Sequence, residues 1–317
     1  QHVPAQLTPG RGLGDRTGRG ATVGGDPDLD DIGPIGSDPP GGPVSRSQLE
    51  RRLVAAGLET VETTSFVSPR WVPQLADAAE LLADLDEVGR SPLRPVLVPN
   101  ERGLDRALEA GVGAVAIFGS ATETFAQKNL GRSRAESVQM FAPVVRRAQE
   151  AGLWVRAYVS MCFGDPWEGP VPVDQVVGVA EHLMELGCDQ LSLGDTIGVG
   201  TAGHVRALLA ALADAGRTTD HLAMHFHDTY GQALANTLTA LRAGVTVVDA
   251  STGGLGGCPY AKSATGNLAT EDLVWMLDGA GVETGVDLDA LVETSAWMAQ
   301  QLGKPSPSRV VKALSGG

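Results

Sequence analysis

The stretch WVRAYVS at 154–160, followed by VDQVVGVAEHLMEL at 173–186 and QLSL at 190–193, decides the fold class. The first and third runs are short and largely apolar, which is typical of strands. The middle run has apolar residues at helical spacing and ends at Gly187, a residue favoured just after a helix. Strand, helix and strand in this order predict a parallel sheet with a helical crossover.

The same unit recurs along the chain from residue 45 onward. Further strand-like runs lie at 60–66, 95–98, 114–118, 222–227 and 245–250, and further helical runs that end at glycine lie at 47–56, 134–151 and 232–243. Seven strands, each followed by a helix, within about 250 residues predict an α/β fold, the (β/α)8 TIM barrel. In this barrel the first strand is missing or replaced by irregular chain. A doubly wound open sheet is the alternative, although no GxGxxG motif follows a strand.

The segment at 1–44 differs in composition from the rest of the chain. Its first 43 residues contain 11 glycines and 7 prolines, and they show no helical or strand periodicity. Such a composition buries too little apolar surface to offset the entropy of ordering the chain. We therefore predict an irregular Gly/Pro-rich segment at 1–44 and a barrel domain at 45–317.

The overall composition excludes several functional classes. With 24 Lys and Arg against 38 Asp and Glu, the net charge is −14, which disfavours nucleic acid as a partner. No apolar run reaches the roughly 18–20 residues of a membrane helix. The three cysteines form no CxxC pair, and no secretory signal is visible. We expect a cytoplasmic protein with no membrane and no nucleic-acid partner.

Two histidines in the run HFHD at 225–228 are the most informative candidates for chemistry. Residues i and i+2 of a strand share one face, so His225 and His227 point together near the end of a barrel strand, where active sites of this fold lie. Histidine is a common metal ligand. The alternative interpretation is that both histidines are satisfied by hydrogen bonds within the fold.

Three further features support a reactive site. Glu62 lies inside a strand-like run, an unfavourable place for a carboxylate without a partner or a function. Asp195 follows the strand end at 190–193. The stretch GGLGGCP at 253–259 follows the last strand, and it predicts a mobile loop that carries the Cys258 thiol.

Four motifs together resemble the 3-hydroxy-3-methylglutaryl-CoA lyases, a family of metal-dependent TIM-barrel lyases. They are TTSFVSPRWVPQ at 63–74, SLGDTIGVGT at 192–201, HFHDTYGQALANTL at 225–238 and GGLGGCPYAKSATGNLATEDLV at 253–274. The resemblance extends from about residue 53 to residue 302. It implies cleavage of 3-hydroxy-3-methylglutaryl-CoA to acetoacetate and acetyl-CoA, and we expect a homodimer that acts on this acyl-CoA substrate.

The resemblance also implies roles for individual residues. His225, His227 and Asn267 match ligands of a divalent metal, Mg²⁺ or Mn²⁺. Cys258 matches a catalytic cysteine, Glu62 a carboxylate in the active site, and Asp195 a polar residue that holds the site in place. We expect substrate contacts from the following residues: Gly256, Gly257, Lys128 and Asn129.

The chain departs from the family at its first strand, where members carry an Arg-Asp pair in a motif like GPRDGLQ. The Asp is a metal ligand and the Arg stabilises the enolate. The nearest string here, Gly14-Asp15-Arg16, has the reverse order, and we assign it neither role. Two alternatives therefore accompany the lyase interpretation. One is a catalytically impaired barrel that keeps its fold and metal and acts as a binding or subunit-partner protein. The other is a lyase for a related branched 3-hydroxyglutaryl-CoA.

Overall fold

A computed structural model describes residues 46–68, 72, 75–85, 93–256 and 266–315, together with the backbone of residues 2–6 and 21–22. In chain order the strands are β1 at His2–Gln6, β2 at Ala21–Thr22, β3 at Thr64–Ser65, β4 at Pro95–Leu97, β5 at Ala114–Ser120, β6 at Trp154–Ser160, β7 at Gly164–Asp165, β8 at Gly169–Pro170, β9 at Gln190–Asp195, β10 at Leu222–Phe226 and β11 at Val247–Ser251. The helices are α1 at Arg46–Ala55, α2 at Ala78–Leu85, α3 at Glu101–Glu109, α4 at Glu123–Leu130, α5 at Arg134–Glu150, α6 at Val173–Glu185, α7 at Ala202–Asp214, α8 at Ala233–Arg242, α9 at Thr270–Gly279, α10 at Leu288–Leu302 and α11 at Arg309–Leu314.

The seven strands predicted from the sequence all lie in one parallel sheet. Their order is β3, β4, β5, β6, β9, β10 and β11, which is their order in the chain, while β7 and β8 form a separate hairpin. A doubly wound sheet reverses its strand order at a switch point, and this sheet has no such reversal. The strand order and the intervening helices confirm the TIM-barrel fold rather than the open alternative.

Glycines end several helices where the sequence predicts. Helices α1, α5, α6 and α8 are followed by Gly57, Gly152, Gly187 and Gly244, all with positive φ. At Gly57 a side chain is excluded twice, because φ is +98° and a Cβ would overlap the Gly285 carbonyl oxygen. These sharp helix ends turn the chain back toward the next strand.

Two short strands, β1 and β2, lie in the segment 1–44, for which the sequence predicts irregular chain. Strand β1 pairs with β11 in antiparallel direction, and β2 pairs with β1. Among the described residues no pairing joins β3 to β1, so β3 has a ladder on one side only. This explains why the predicted strand at 60–66 narrows to Thr64–Ser65, with Thr60 in an isolated bridge to Leu93.

Apolar side chains from the strands and the inner helix faces form one continuous core. Phe141 of α5 is fully buried, and its ring centroid lies 5.6 Å from that of Phe118 on β5. The barrel interior is not entirely apolar, because Arg156 of β6 is also fully buried. In the part of the chain that the structure describes, no helix combines the length and apolarity needed to cross a membrane.

Candidate active site

Two imidazoles lie together at the carboxyl end of β10. The ring centroids of His225 and His227 are 5.3 Å apart, as the alternation of a strand predicts. Phe226, between them in sequence, points the other way and stacks on Phe163, with ring centroids 6.3 Å apart. The side chain of His225 is 13% exposed and His227 is buried. The pair therefore lies at the mouth of the barrel and partly open to solvent.

Asn267 brings a third donor to this pair. It forms an isolated antiparallel bridge with His227, so the chain that returns from the glycine-rich loop runs beside the end of β10. Its side-chain Nδ2 donates to the Leu255 carbonyl oxygen at 2.9 Å, which fixes the amide. Its Oδ1 is buried and accepts no hydrogen bond within the described residues.

This donor set fits a divalent cation. Burying an amide oxygen without a donor is costly, and coordination of a cation would offset that cost. Imidazole nitrogens and amide oxygens are both accepted ligands of such ions. Within the described residues no group of three or more His, Cys, Asp or Glu side chains could hold a metal. The donors that meet here are two imidazoles and one amide oxygen.

Asp195 at the end of β9 holds the loop beside these histidines. Its two carboxylate oxygens accept from the backbone N–H groups of Val199 at 3.0 Å and Gly200 at 2.8 Å. Burial raises the pKa of Asp195 to about 6, against the lowering effect of those hydrogen bonds. A Cβ on Gly200 would lie 2.8 Å from the carboxylate, so the loop approaches it closely.

Glu62 lies just before β3 rather than inside a longer strand. It is 4% exposed, and its carboxylate accepts from the Tyr158 hydroxyl at 2.5 Å. Burial raises the pKa of Tyr158 well above its usual value, so the phenol keeps its proton and donates it in this hydrogen bond. Glu62 thus points into the barrel interior toward β6.

A buried polar network continues from this pair, and sequence reasoning missed it. The Arg156 guanidinium lies 4.8 Å from the Tyr158 ring and donates to Asp249 of β11 at 2.5 Å. Asp249 also accepts from Ser192 Oγ at 2.8 Å. The signal was present in the strand pattern, because Arg156 and Tyr158 stand at i and i+2 of a largely apolar strand and therefore share one face.

The two ends of the glycine-rich loop lie next to each other. Gly257 and Cys258 lie outside the described residues, whereas Gly256 is half-buried with φ +92°. A Cβ on Gly266 would overlap the Gly254 carbonyl oxygen, so the two ends of the loop are in contact. Since Asn267 follows Gly266 directly, the loop that carries Cys258 begins and ends beside the histidine pair.

Lys128 and Asn129 lie further out. Both are exposed near the end of α4, which follows β5 at the same mouth of the barrel. The Lys128 Nζ lies 4.9 Å from the centroid of the Trp167 ring, on the turn between β7 and β8. The described contacts join neither residue to the histidines, so both lie outside the inner site.

Fold and site together define a protein of the TIM-barrel class, with seven parallel strands among its described residues and a polar site at their carboxyl ends. The HMGL-like family model matches residues 43–298. The chain is 51% identical over 261 residues to the mitochondrial hydroxymethylglutaryl-CoA lyase of Bos taurus, covering 82% of this chain and 80% of that protein. It is 48% identical over 276 residues to the 3-hydroxy-3-isohexenylglutaryl-CoA/hydroxymethylglutaryl-CoA lyase of Pseudomonas aeruginosa, covering 86% and 90%.

Structural similarity agrees with the sequence matches. The crystal structure of a hydroxymethylglutaryl-CoA lyase from Pseudomonas aeruginosa superimposes with a TM-score of 0.86 at 42% identity, covering 99% of each chain. The chain belongs to the HMGL-like family.

Proposed function

We propose that this protein cleaves 3-hydroxy-3-methylglutaryl-CoA to acetoacetate and acetyl-CoA. The observation that carries the proposal is the identity of about 50% to a lyase of that name over four-fifths of both chains. His225, His227 and Asn267 lie together at the barrel mouth, which supports the proposal. The TIM-barrel fold by itself would not support this activity, because enzymes with many unrelated activities share it.

We assign His225, His227 and Asn267 to a divalent cation, Mg²⁺ or Mn²⁺. When bound, such a cation acidifies the tertiary hydroxyl of the substrate and orients the substrate by its oxygens. The residues of the chain prepare this site in advance. Asn267 is fixed by its bond to the Leu255 carbonyl, and Asp195 fixes the loop that follows β9.

The reaction itself needs two proton transfers. The hydroxyl proton leaves, the C2–C3 bond breaks to give acetoacetate, and the remaining thioester enolate takes a proton at C2. We assign the first transfer to Glu62, whose carboxylate Tyr158 holds in place. We assign the second to the thiol of Cys258, because both ends of its loop lie beside Asn267 and His227. We also assign substrate contacts to Gly256 and Gly257, and contacts with the CoA arm outside the mouth to Lys128 and Asn129.

The decisive experiment measures acetoacetate release from 3-hydroxy-3-methylglutaryl-CoA with Mg²⁺ or Mn²⁺. Wild type should turn over, and His227→Ala should lower kcat by at least two orders of magnitude. His204→Ala is the matched control, because His204 is exposed on α7 and no described hydrogen bond or ion pair joins it to the histidine pair. Turnover that survives His227→Ala would contradict the assigned site. Metal binding without turnover in wild type would instead favour the impaired barrel.

One specific observation favours a second substrate class. The Pseudomonas aeruginosa relative is named for an isohexenyl substrate as well as the methyl one, and it covers 86% of this chain. Comparing kcat/KM for the two acyl-CoA thioesters under the same conditions would decide which branch this chain prefers. A preference for the longer branch would move the assignment to that substrate.

We also propose that the protein is a homodimer. Trp275 on α9 and Leu314 on α11 are 58% and 47% exposed, and these two helices pack together. Exposed large apolar side chains on adjoining helices are typical of protein interfaces. Light scattering after size exclusion should give twice the 32.8 kDa chain mass. Trp275→Glu should lower that mass to the monomer.

A cytoplasmic location is the corresponding proposal for the compartment. Cys162 and Cys188 are both buried free thiols, which fits a reducing environment. Cell fractionation should recover the protein with cytoplasmic markers, and recovery with an organelle would overturn this proposal.

A further inference from the structure

Asp249 lies directly beside His225 in the sheet. Strands β10 and β11 run parallel, and His225 pairs in register with Asp249. Asp249 is 1% exposed, so its carboxylate is removed from solvent inside the barrel. A carboxylate in that position needs partners, and its partners are all polar groups of the site.

Three groups surround the carboxylate. Oδ2 lies 3.4 Å from Nδ1 of His225 and accepts from Ser192 Oγ at 2.8 Å. Oδ1 accepts from the Arg156 guanidinium at 2.5 Å. Because both oxygens are engaged from different strands, the carboxylate has one orientation, with Oδ2 directed toward the imidazole.

The Arg156 guanidinium forms an ion pair with Asp249, and both side chains are fully buried. Burial would lower the pKa of Arg156, but the charges of Asp249 and Glu62 outweigh that effect, so Arg156 stays protonated. A carboxylate paired with a buried cation in this way carries its charge. An ionised carboxylate can only accept hydrogen bonds.

We propose that Asp249 is a positioning residue that accepts from Nδ1–H of His225 and thereby directs Nε2 of that imidazole to the divalent cation. The inference rests on the proposed function, which assigns His225 to the cation. Carboxylates that hold a ligand histidine in this way fix its tautomer and its orientation, and losing one costs 10- to 100-fold in metal affinity. Arg156 and Ser192 then serve by holding Asp249.

The competing explanation gives Asp249 a purely structural role as counter-ion of Arg156. Asp249→Asn keeps the volume and removes the charge, and it leaves Arg156 buried without a carboxylate. The double variant Arg156→Met with Asp249→Asn removes both charges, so it avoids an unpaired buried cation. Asp165→Asn is the matched control. Asp165 is also a buried carboxylate at the barrel mouth, but it binds Thr122 and the backbone N–H groups of Trp167 and Glu168.

The first readout is the dissociation constant for Mn²⁺, measured from the free-ion EPR signal without substrate. We expect both Asp249 variants to bind Mn²⁺ 10- to 100-fold more weakly than wild type, and Asp165→Asn to match wild type. Wild-type affinity in the double variant would overturn the proposal, because Asp249 would then serve Arg156 alone. If wild type itself binds no Mn²⁺, the metal assignment in the proposed function fails first.

The second readout is made on wild type and depends on no Asp249 variant. In wild type freed of metal and labelled with ¹⁵N-histidine, long-range ¹⁵N–¹H spectra should show neutral His225 with its proton on Nδ1. His225→Gln identifies the signal. A proton on Nε2 would overturn the proposal whatever the affinities show, since Asp249 would then accept nothing from the ring.

Discussion

Glu271 offers a sharp test of how burial governs the stability of this fold. It lies in the first turn of α9, fully enclosed, and its carboxylate binds the backbone N–H of Gly253 at 3.0 Å and the hydroxyl of Ser295. Burial raises its pKa from 4.5 to about 7, against the lowering effect of these hydrogen bonds. Replacing it by Gln keeps the shape and removes the titration, because the amide oxygen can accept from the Gly253 N–H while the amide NH2 donates to the Ser295 hydroxyl.

The magnitude follows from the two pKa values. The difference between 4.5 and about 7 corresponds, at roughly 1.4 kcal/mol per pH unit, to about 3 kcal/mol. Because the pKa of the folded state is the higher one, the contribution of Glu271 is full below pH 4.5 and is lost as the pH rises to about 7. Between pH 5 and pH 8 the wild type should therefore lose about 2–3 kcal/mol of unfolding free energy through this residue.

Urea unfolding of wild type and Glu271→Gln at pH 5 and pH 8 measures this loss. The free-energy difference between the two proteins should shift by about 2–3 kcal/mol in favour of Gln at pH 8. Glu136→Gln is the control. Hydrogen bonds from Ser133 lower the pKa of Glu136, so Glu136→Gln should change the unfolding free energy by the same amount at pH 5 and pH 8. A difference between wild type and Glu271→Gln that does not change with pH would refute the reasoning.

Two further substitutions test the packing and the loop beside the site. Phe141→Ala should cost about 3–5 kcal/mol of unfolding free energy, because the ring is fully buried. Gln139→Ala, on the exposed face of the same helix, should change the unfolding free energy by no more than about 0.5 kcal/mol. Equal costs for the two variants would contradict the core assignment. Gly198→Ala should destabilise the fold by about 1 kcal/mol or more and lower kcat, because φ is +70° and a Cβ would lie 2.5 Å from Thr229 Oγ1. Gly203→Ala, with no Cβ contact under 3.7 Å, should do neither, as unfolding curves and turnover will show.

Much of the fold could be predicted from the sequence because its signals are local. The run 154–160 is short and largely apolar, and 173–186 has helical spacing and stops at Gly187, so strand and helix follow from local composition and apolar periodicity. Repetition of that unit then predicts a barrel. The strand predicted at 60–66 is longer than the observed β3. Strand length depends on pairing with neighbours on both sides, and β3 has a described partner on one side only.

The site likewise has features that local sequence patterns predict and features that depend on the tertiary structure. The sequence by itself determined that His225 and His227 share a face, since the period of a strand is two, and that a glycine-rich loop follows β11. Only the tertiary structure placed Asn267 beside His227, and it alone joined Arg156 to Asp249 across 93 positions. Such contacts depend on which strands become neighbours when the sheet curves, and no local pattern of residues carries that information.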